Sequence, residues 1–128
     1  MDAKLFAPAE YWRLTDEQKR GICNGCGSSG AFGWLVPDTM YLLNVRRACD
    51  IHDFMYEVGK TQADKEEADR VFLNNMVRII NGRGGLFRRL RLRRAKKYYL
   101  AVYHFGGSAF WDGKNNLEEF RAPFLALY

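Results

Sequence analysis

The sequence predicts a mostly α-helical fold, and three observations carry that expectation. Three successive stretches, about 45–59, 62–80 and 86–105, are each closed by glycine. Within the second, Phe72, Met76 and Ile80 recur every fourth residue and mark one buried helix face. The chain has 128 residues, 48% of them hydrophobic and 15% aromatic, which suits one domain with a single core.

In chain order, segment 8–20 is expected to form a short N-terminal helix. "NGCGSSGAFG" at 24–33 follows, and four glycines and two serines in ten residues require a loop with unusual backbone angles. "WLVPDTMYLLN" then leads to Asn44, the expected N-cap of a helix that stops near Gly59. Thr61 opens the next helix, which "NGRGG" ends, and the last long helix closes at Gly106–Gly107. No internal repeat or low-complexity segment stands out.

The formal net charge is +5, but residues 83–97, "RGGLFRRLRLRRAKK", hold eight basic residues and no acidic one, so the remainder sums to −3. This local basicity suits nucleic acid, anionic lipid or simply water. No zinc-finger spacing or RNA-recognition motif supports the first. Nothing approaches the roughly 18 consecutive apolar residues of a spanning helix. Charges interrupt "MDAKLFAPAEYWRLTDEQKR" before a signal-peptide core could form, so no export signal is expected. Three cysteines are too few for a densely cross-linked scaffold, and their odd number leaves at least one unpaired within the chain. The compartment stays open.

The stretch "ACDIHDFMYEVG" at 48–59 concentrates chemistry. On a helix, positions i−3, i and i+4 share a face, so Cys49, His52 and Tyr56 point one way and Asp53 sits about a quarter-turn round. Asp69 lies one turn before Phe72 on the buried side of the next helix, where an ionised carboxylate needs a partner. His104 and the arginines are candidates. The histidine and tyrosine face of the neighbouring helix is the economical one, since a short loop brings antiparallel faces together. Paired with Asp69, His52 would keep one nitrogen as a base able to activate water. Asp53 with loop carbonyls and water would make an oxygen-only shell, which favours calcium over zinc. A metal beside such a histidine describes assisted hydrolysis. Taken singly, His52 reads as a core histidine and Asp53 and Asp69 as surface charges; their joint placement sets them apart.

These residues resemble a known family. "CDIHDFMY" is similar to the active-site helix of secreted calcium-dependent phospholipase A2, "NGCGSSG" to its calcium loop, and "ADRVFLNNM" to its second core helix. The resemblance spans about residues 23–76. It implies a phospholipase A2-like fold with two antiparallel core helices and a calcium loop, here with an extra basic C-terminal helix. The implied activity is calcium-dependent hydrolysis of the sn-2 ester of glycerophospholipids. His52 would be the general base, Asp69 its partner, Tyr56 a hydroxyl bound to Asp69, and Asp53 the calcium carboxylate. Backbone carbonyls of Gly25, Gly27 and Ser29, or Asn24 in place of Ser29, would complete the Ca2+ shell, and the Gly27 N–H would be the oxyanion donor. Cys26 and Cys49 occupy the places of a disulfide between loop and helix; in a reducing compartment they would be thiols.

The chain departs from the family by lacking the animal members' disulfide framework and the paired glycines after Cys-Gly, and by its longer segment between loop and helix. Its compact build is more like bacterial, fungal and viral relatives. With no visible leader, that likeness implies a bacterial or phage product delivered by a non-classical route. Cys23 reads as a free small hydrophobe, and His104 as a helix C-terminal residue favoured by the dipole.

For an enzyme of this kind the basic strip has a use. Arg88, Arg89, Arg91, Arg93 and Arg94 would contact a phospholipid membrane surface, with Leu86, Phe87, Leu90 and Leu92 entering the headgroup region. The alternatives are a non-enzymatic membrane- or protein-binding module on the same fold and a basic nucleic-acid-associated protein.

Overall fold

Two threonines start helices by the same local chemistry. Thr15 Oγ1 accepts from the Gln18 N–H at 3.1 Å while Gln18 Oε1 accepts from the Thr15 N–H at 2.9 Å. Thr61 Oγ1 accepts from the Asp64 N–H at 3.1 Å while Asp64 Oδ2 accepts from the N–H groups of Thr61 and Lys60 at 3.2 and 2.9 Å. Each pair is a capping box that satisfies helix-start donors reciprocally.

The computed structural model describes residues 4–23 and 39–111. Among them are six helices and one two-stranded hairpin: α1 (Ala9–Trp12), α2 (Asp16–Ile22), β1 (Thr39–Met40), β2 (Leu43–Asn44), α3 (Arg46–Val58), α4 (Gln62–Arg83), α5 (Arg88–Phe105) and α6 (Gly107–Trp111). The mostly α expectation holds. The expected single helix over 8–20 is instead α1 and α2, because Thr15 caps a fresh start. Asn44 acts one residue earlier than expected: Val45 occupies the cap position, and Asn44 Oδ1 accepts from the Arg46 N–H at 2.7 Å. α4 runs past Ile80 through Asn81, Gly82 and Arg83. A lone glycine is tolerated inside a helix; the stop comes where Gly84 (φ 62°) and Gly85 (φ 88°) take positive φ.

The hairpin was not anticipated. Its strands pair Thr39 with Asn44 and Met40 with Leu43, leaving Tyr41 and Leu42 as a two-residue loop. Both loop residues have positive φ, 45° and 68°, the signature of a type I′ turn that usually takes Asn-Gly.

α4 is the central helix, packed on α3 along one side and α5 along the other. α5 runs antiparallel to α4, since Arg88 near its start bonds Asn81 while Val102 near its end meets Lys65. Phe72, Met76 and Ile80 of α4 join Ile51 and Phe54 of α3 and Ala95, Tyr98 and Val102 of α5 in the core. Fully buried Asn75 clasps the N-terminal segment, accepting from the Phe6 N–H and donating to the Phe6 carbonyl, both at 2.8 Å. No described helix is long and apolar enough to cross a membrane.

Arg91 corrects the expected membrane-contact strip. It is buried, its guanidinium donating to the carbonyls of Tyr41 and Gly84 and lying 5.5 Å from the centre of the Phe87 ring. Helical periodicity is the reason: 91, 95, 98 and 102 form the inward face of α5. Leu92 is also partly buried against the core, whereas Arg88, Arg89, Arg93 and Arg94 are exposed.

Candidate functional site

The short connection Gly59–Lys60–Thr61 turns the chain between α3 and α4 and sets their chemistry-bearing faces together. Cys49, His52 and Tyr56 of α3 are all buried, and Asp69 of α4 has no solvent exposure. His52 Nε2 lies 2.7 Å from Asp69 Oδ1, and the Tyr56 hydroxyl donates to the same oxygen at 2.7 Å. Two tilted rings lie against the imidazole, with centroids 4.1 Å away for Tyr56 and 4.7 Å for Phe72.

The reading of the sequence missed Lys65. Its ammonium is buried and donates to Asp69 Oδ2 at 2.8 Å, and to the carbonyls of Val102 and Tyr103 at 3.1 and 3.3 Å. Lys65 thus joins two stabilising roles: it neutralises Asp69 one turn away on its own helix, and it sits at the negative C-terminal end of α5. The signal was present as a lysine four residues before the aspartate, but lysine at a helix start usually reads as solvated. His104 and the arginines, considered as partners for Asp69, do not fill that role; His104 is exposed near the end of α5.

Close packing seals this end of the site. A Cβ on Gly106 would come within 2.4 Å of the Tyr56 hydroxyl, and one on Gly59 within 2.7 Å of the Phe110 ring. Phe110 of α6, fully buried, packs edge-on against Tyr56 with centroids 5.2 Å apart.

The electrostatics follow from burial and the shared carboxylate. Burial disfavours the imidazolium and draws His52 below its ordinary value; Asp69 opposes this through its hydrogen bond and charge, and Lys65 adds to it. Burial alone would raise Asp69, but the hydrogen bond and charge interaction with His52, followed by hydrogen bonds from Lys65 and Tyr56, hold the carboxyl below its usual range. Burial first, then the Asp69 charge, pushes the Tyr56 phenol up, so it stays a donor. The site therefore balances one carboxylate against one ammonium, with a neutral imidazole beside them.

Asp53 is half-buried on α3. The expected loop ligands Asn24, Gly25, Gly27 and Ser29, the expected oxyanion donor Gly27 and the expected disulfide partner Cys26 lie outside the described residues. Cys49 is disulfide-bonded, and Cys23 is a free buried thiol that donates to the Asp50 carbonyl at 3.2 Å. Burial, then the charges of Asp50 and Asp53, pushes the Cys23 thiol up to about 11, so it stays protonated. Asp50 is ion-paired with Arg46 at 3.7 Å. An oxygen donor such as the Asp53 carboxylate suits a hard cation such as Ca2+ better than zinc. Among the described residues no three His, Cys, Asp or Glu side chains gather to hold a metal, so an ion at Asp53 would take further ligands from backbone, water or residues 24–38.

Chemically, the described part is a histidine whose tautomer is set by a carboxylate, an arrangement suited to accepting a proton at the opposite ring nitrogen. No family model, curated protein or solved structure matches the chain.

Proposed function

We propose that the chain hydrolyses the sn-2 ester of glycerophospholipids in a calcium-dependent reaction. The observation that carries this reading is the buried 2.7 Å hydrogen bond between His52 Nε2 and Asp69 Oδ1. With its Nε2 proton directed to Asp69, the ring keeps a lone pair on Nδ1, and that nitrogen takes a proton from water as the oxygen attacks the ester carbonyl carbon. Asp69 steadies the imidazolium, which returns its proton to the departing glycerol oxygen. Tyr56 holds Asp69 in place through its 2.7 Å hydrogen bond, and the rings of Tyr56 and Phe72 limit rotation of the imidazole. Asp53, with backbone carbonyls of Gly25, Gly27 and Ser29 or Asn24, would hold the Ca2+, which when bound polarises the ester carbonyl. The Gly27 N–H would stabilise the developing oxyanion.

A non-enzymatic module that binds a membrane or a protein partner is the second reading. Lys65 favours it, because an ammonium 2.8 Å from Asp69 already balances the carboxylate and makes the cluster self-sufficient as a structural network. Fatty-acid release from mixed phospholipid vesicles, first with calcium and then with a chelator, separates the two. Calcium-dependent release that His52→Gln abolishes supports hydrolysis. No release from folded, calcium-loaded protein moves the assignment to the binding module.

A further inference from the structure

Two turns that no catalytic step uses meet at the α4–α5 end of the molecule. Leu86, between the glycines that stop α4 and the start of α5, is 91% exposed, and Leu42 in the hairpin loop is 84% exposed. Single exposed leucines are ordinary. The turns that carry these two are tied together, because the Tyr41 ring stacks on Phe87 at 5.9 Å, Arg91 donates to the Tyr41 carbonyl, and Arg94 donates to the Tyr41 hydroxyl at 3.4 Å. Phe87 and Leu90 are exposed beside them.

The hairpin loop also breaks its own local rule. Both positions of a type I′ turn favour Asn or Gly, and here they are Tyr and Leu with φ of 45° and 68°. Tyr41 gains its stacking on Phe87 and its bonds from Arg91 and Arg94 in return, but Leu42 is held in the left-handed region with its side chain in water and gains no packing there, and such strain directs attention to function. On the helix side of the tip the charge has one sign: residues 83–97 carry no acidic side chain, and Arg88, Arg89, Arg93 and Arg94 are exposed.

We propose that the Tyr41–Leu42 turn and the Leu86–Leu90 segment form one docking tip for the surface of an anionic lipid bilayer, Leu42 and Leu86 entering the headgroup region and Arg88 and Arg89 meeting the phosphates. Two adjacent protruding turns with apolar tips and a basic rim match a bilayer interface, which offers hydrocarbon behind anions. Nucleic acid would use the arginines but has little use for the leucines. The tip concerns where a lipid surface is gripped and does not rest on ester hydrolysis.

The test uses the full chain and ether-linked lipids, which have no ester to cleave, with a chelator present. Vesicles of phosphatidylcholine alone and of an equal mixture with phosphatidylglycerol are sedimented with wild type, with a Leu42→Asn/Leu86→Ser double variant and with an Arg88→Glu/Arg89→Glu double variant. Wild type should bind the mixed vesicles and scarcely the neutral ones. Each double variant should bind at least roughly tenfold more weakly. Leu42→Asn should keep or raise the melting temperature, since Asn tolerates positive φ, so weaker binding by the leucine variant would not be misfolding. Absent binding of wild type to mixed vesicles overturns the proposal, as does unchanged binding by the leucine variant. Duplex DNA run in parallel identifies the rival: retention of DNA by wild type and the leucine variant, lost in the arginine variant and without vesicle binding, assigns the patch to nucleic acid instead.

Discussion

Three donors converge on Asp69, two on Oδ1 and one on Oδ2, and this convergence is what makes a carboxylate with no solvent exposure tolerable. His52→Gln should leave α3 and most of the packing in place, because Gln can still donate to Asp69, yet it cannot take a proton from water. Ester hydrolysis should fall by ~10²–10⁴-fold or more with calcium affinity retained, and wild-type turnover by a folded variant would remove His52 as the base. Asp69→Asn goes further than disturbing a tautomer, since it strands the Lys65 ammonium. Lys65→Met, in turn, leaves Asp69 without its ammonium partner, with only His52 and Tyr56 still donating to it. Each should cost about 3–5 kcal/mol, the usual loss when one partner of a buried ion pair is removed, and a denaturant-midpoint change near zero in either would mean that the pair is not buried as described. Acidity acts through the same residues. The folded state holds His52 below its ordinary 6.5 and Asp69 below its ordinary 3.8, so the unfolded chain binds more protons. The stability they contribute is fully present above pH 6.5 and is lost as pH falls, first through His52 and then through Asp69. Unfolding midpoints measured down that range should decline, and His52→Gln should flatten the upper part of the decline.

At the scale of elements, the approaches at Gly59 and Gly106, where the ends of α3 and α5 meet α6, leave no room for a Cβ. Gly106, between α5 and α6, is the sharpest case, because an added Cβ would collide with both the Tyr56 hydroxyl and the Val102 carbonyl at 2.4 Å. Val102 is also the carbonyl that receives Lys65. Gly106→Ala should therefore disturb two partners of the site at once, costing about 1–3 kcal/mol as an overpacking change and lowering hydrolysis more than a surface Gly→Ala. Gly107→Ala is the control, since its Cβ would meet nothing within 4 Å. Equal melting temperatures and rates in the two variants would show that the close approach at Gly106 is dispensable. The helices themselves were legible wherever a cap or stop was local. Thr61 starts α4 through Asp64, three residues on, and Gly59 ends α3. The hairpin was not legible, because Tyr-Leu is a poor type I′ pair and its docking against α5, fifty residues away, supplies what the local sequence lacks.

For the molecule as a whole, the N-terminal segment is tied to α4 by Asn75 holding Phe6, and the end of α2 to α3 by Cys23 donating to the Asp50 carbonyl, while Cys49 of α3 is disulfide-bonded. Reduction of that disulfide should lower the melting temperature, with about 2–4 kcal/mol of stability lost. Calcium affinity should fall with it if the bond also steadies ligands near Asp53. Calorimetry before and after reduction checks both, and unchanged melting would mean that the remaining ties suffice.

Much of the site could be read from residue spacing. The shared face of Cys49, His52 and Tyr56 follows from the helical period alone, and the inward position of Asp69 follows from its register with Phe72, Met76 and Ile80. Two things depended on the folded arrangement. One is the partner set of Asp69: α3 meets α4 across a three-residue turn, so His52 and Tyr56 were readable, but the Lys65 ammonium is stabilised in the interior by carbonyls at the end of α5, a contact thirty-seven residues distant. The other is the division of the basic strip. A run of arginines has no sidedness until its helix packs, and only the docking of α5 against α4 and the hairpin draws Arg91 inward while leaving Arg88, Arg89, Arg93 and Arg94 in water. Local period settles which residues can share a face; which face is buried, and what charge waits there, is settled by neighbours remote in the chain.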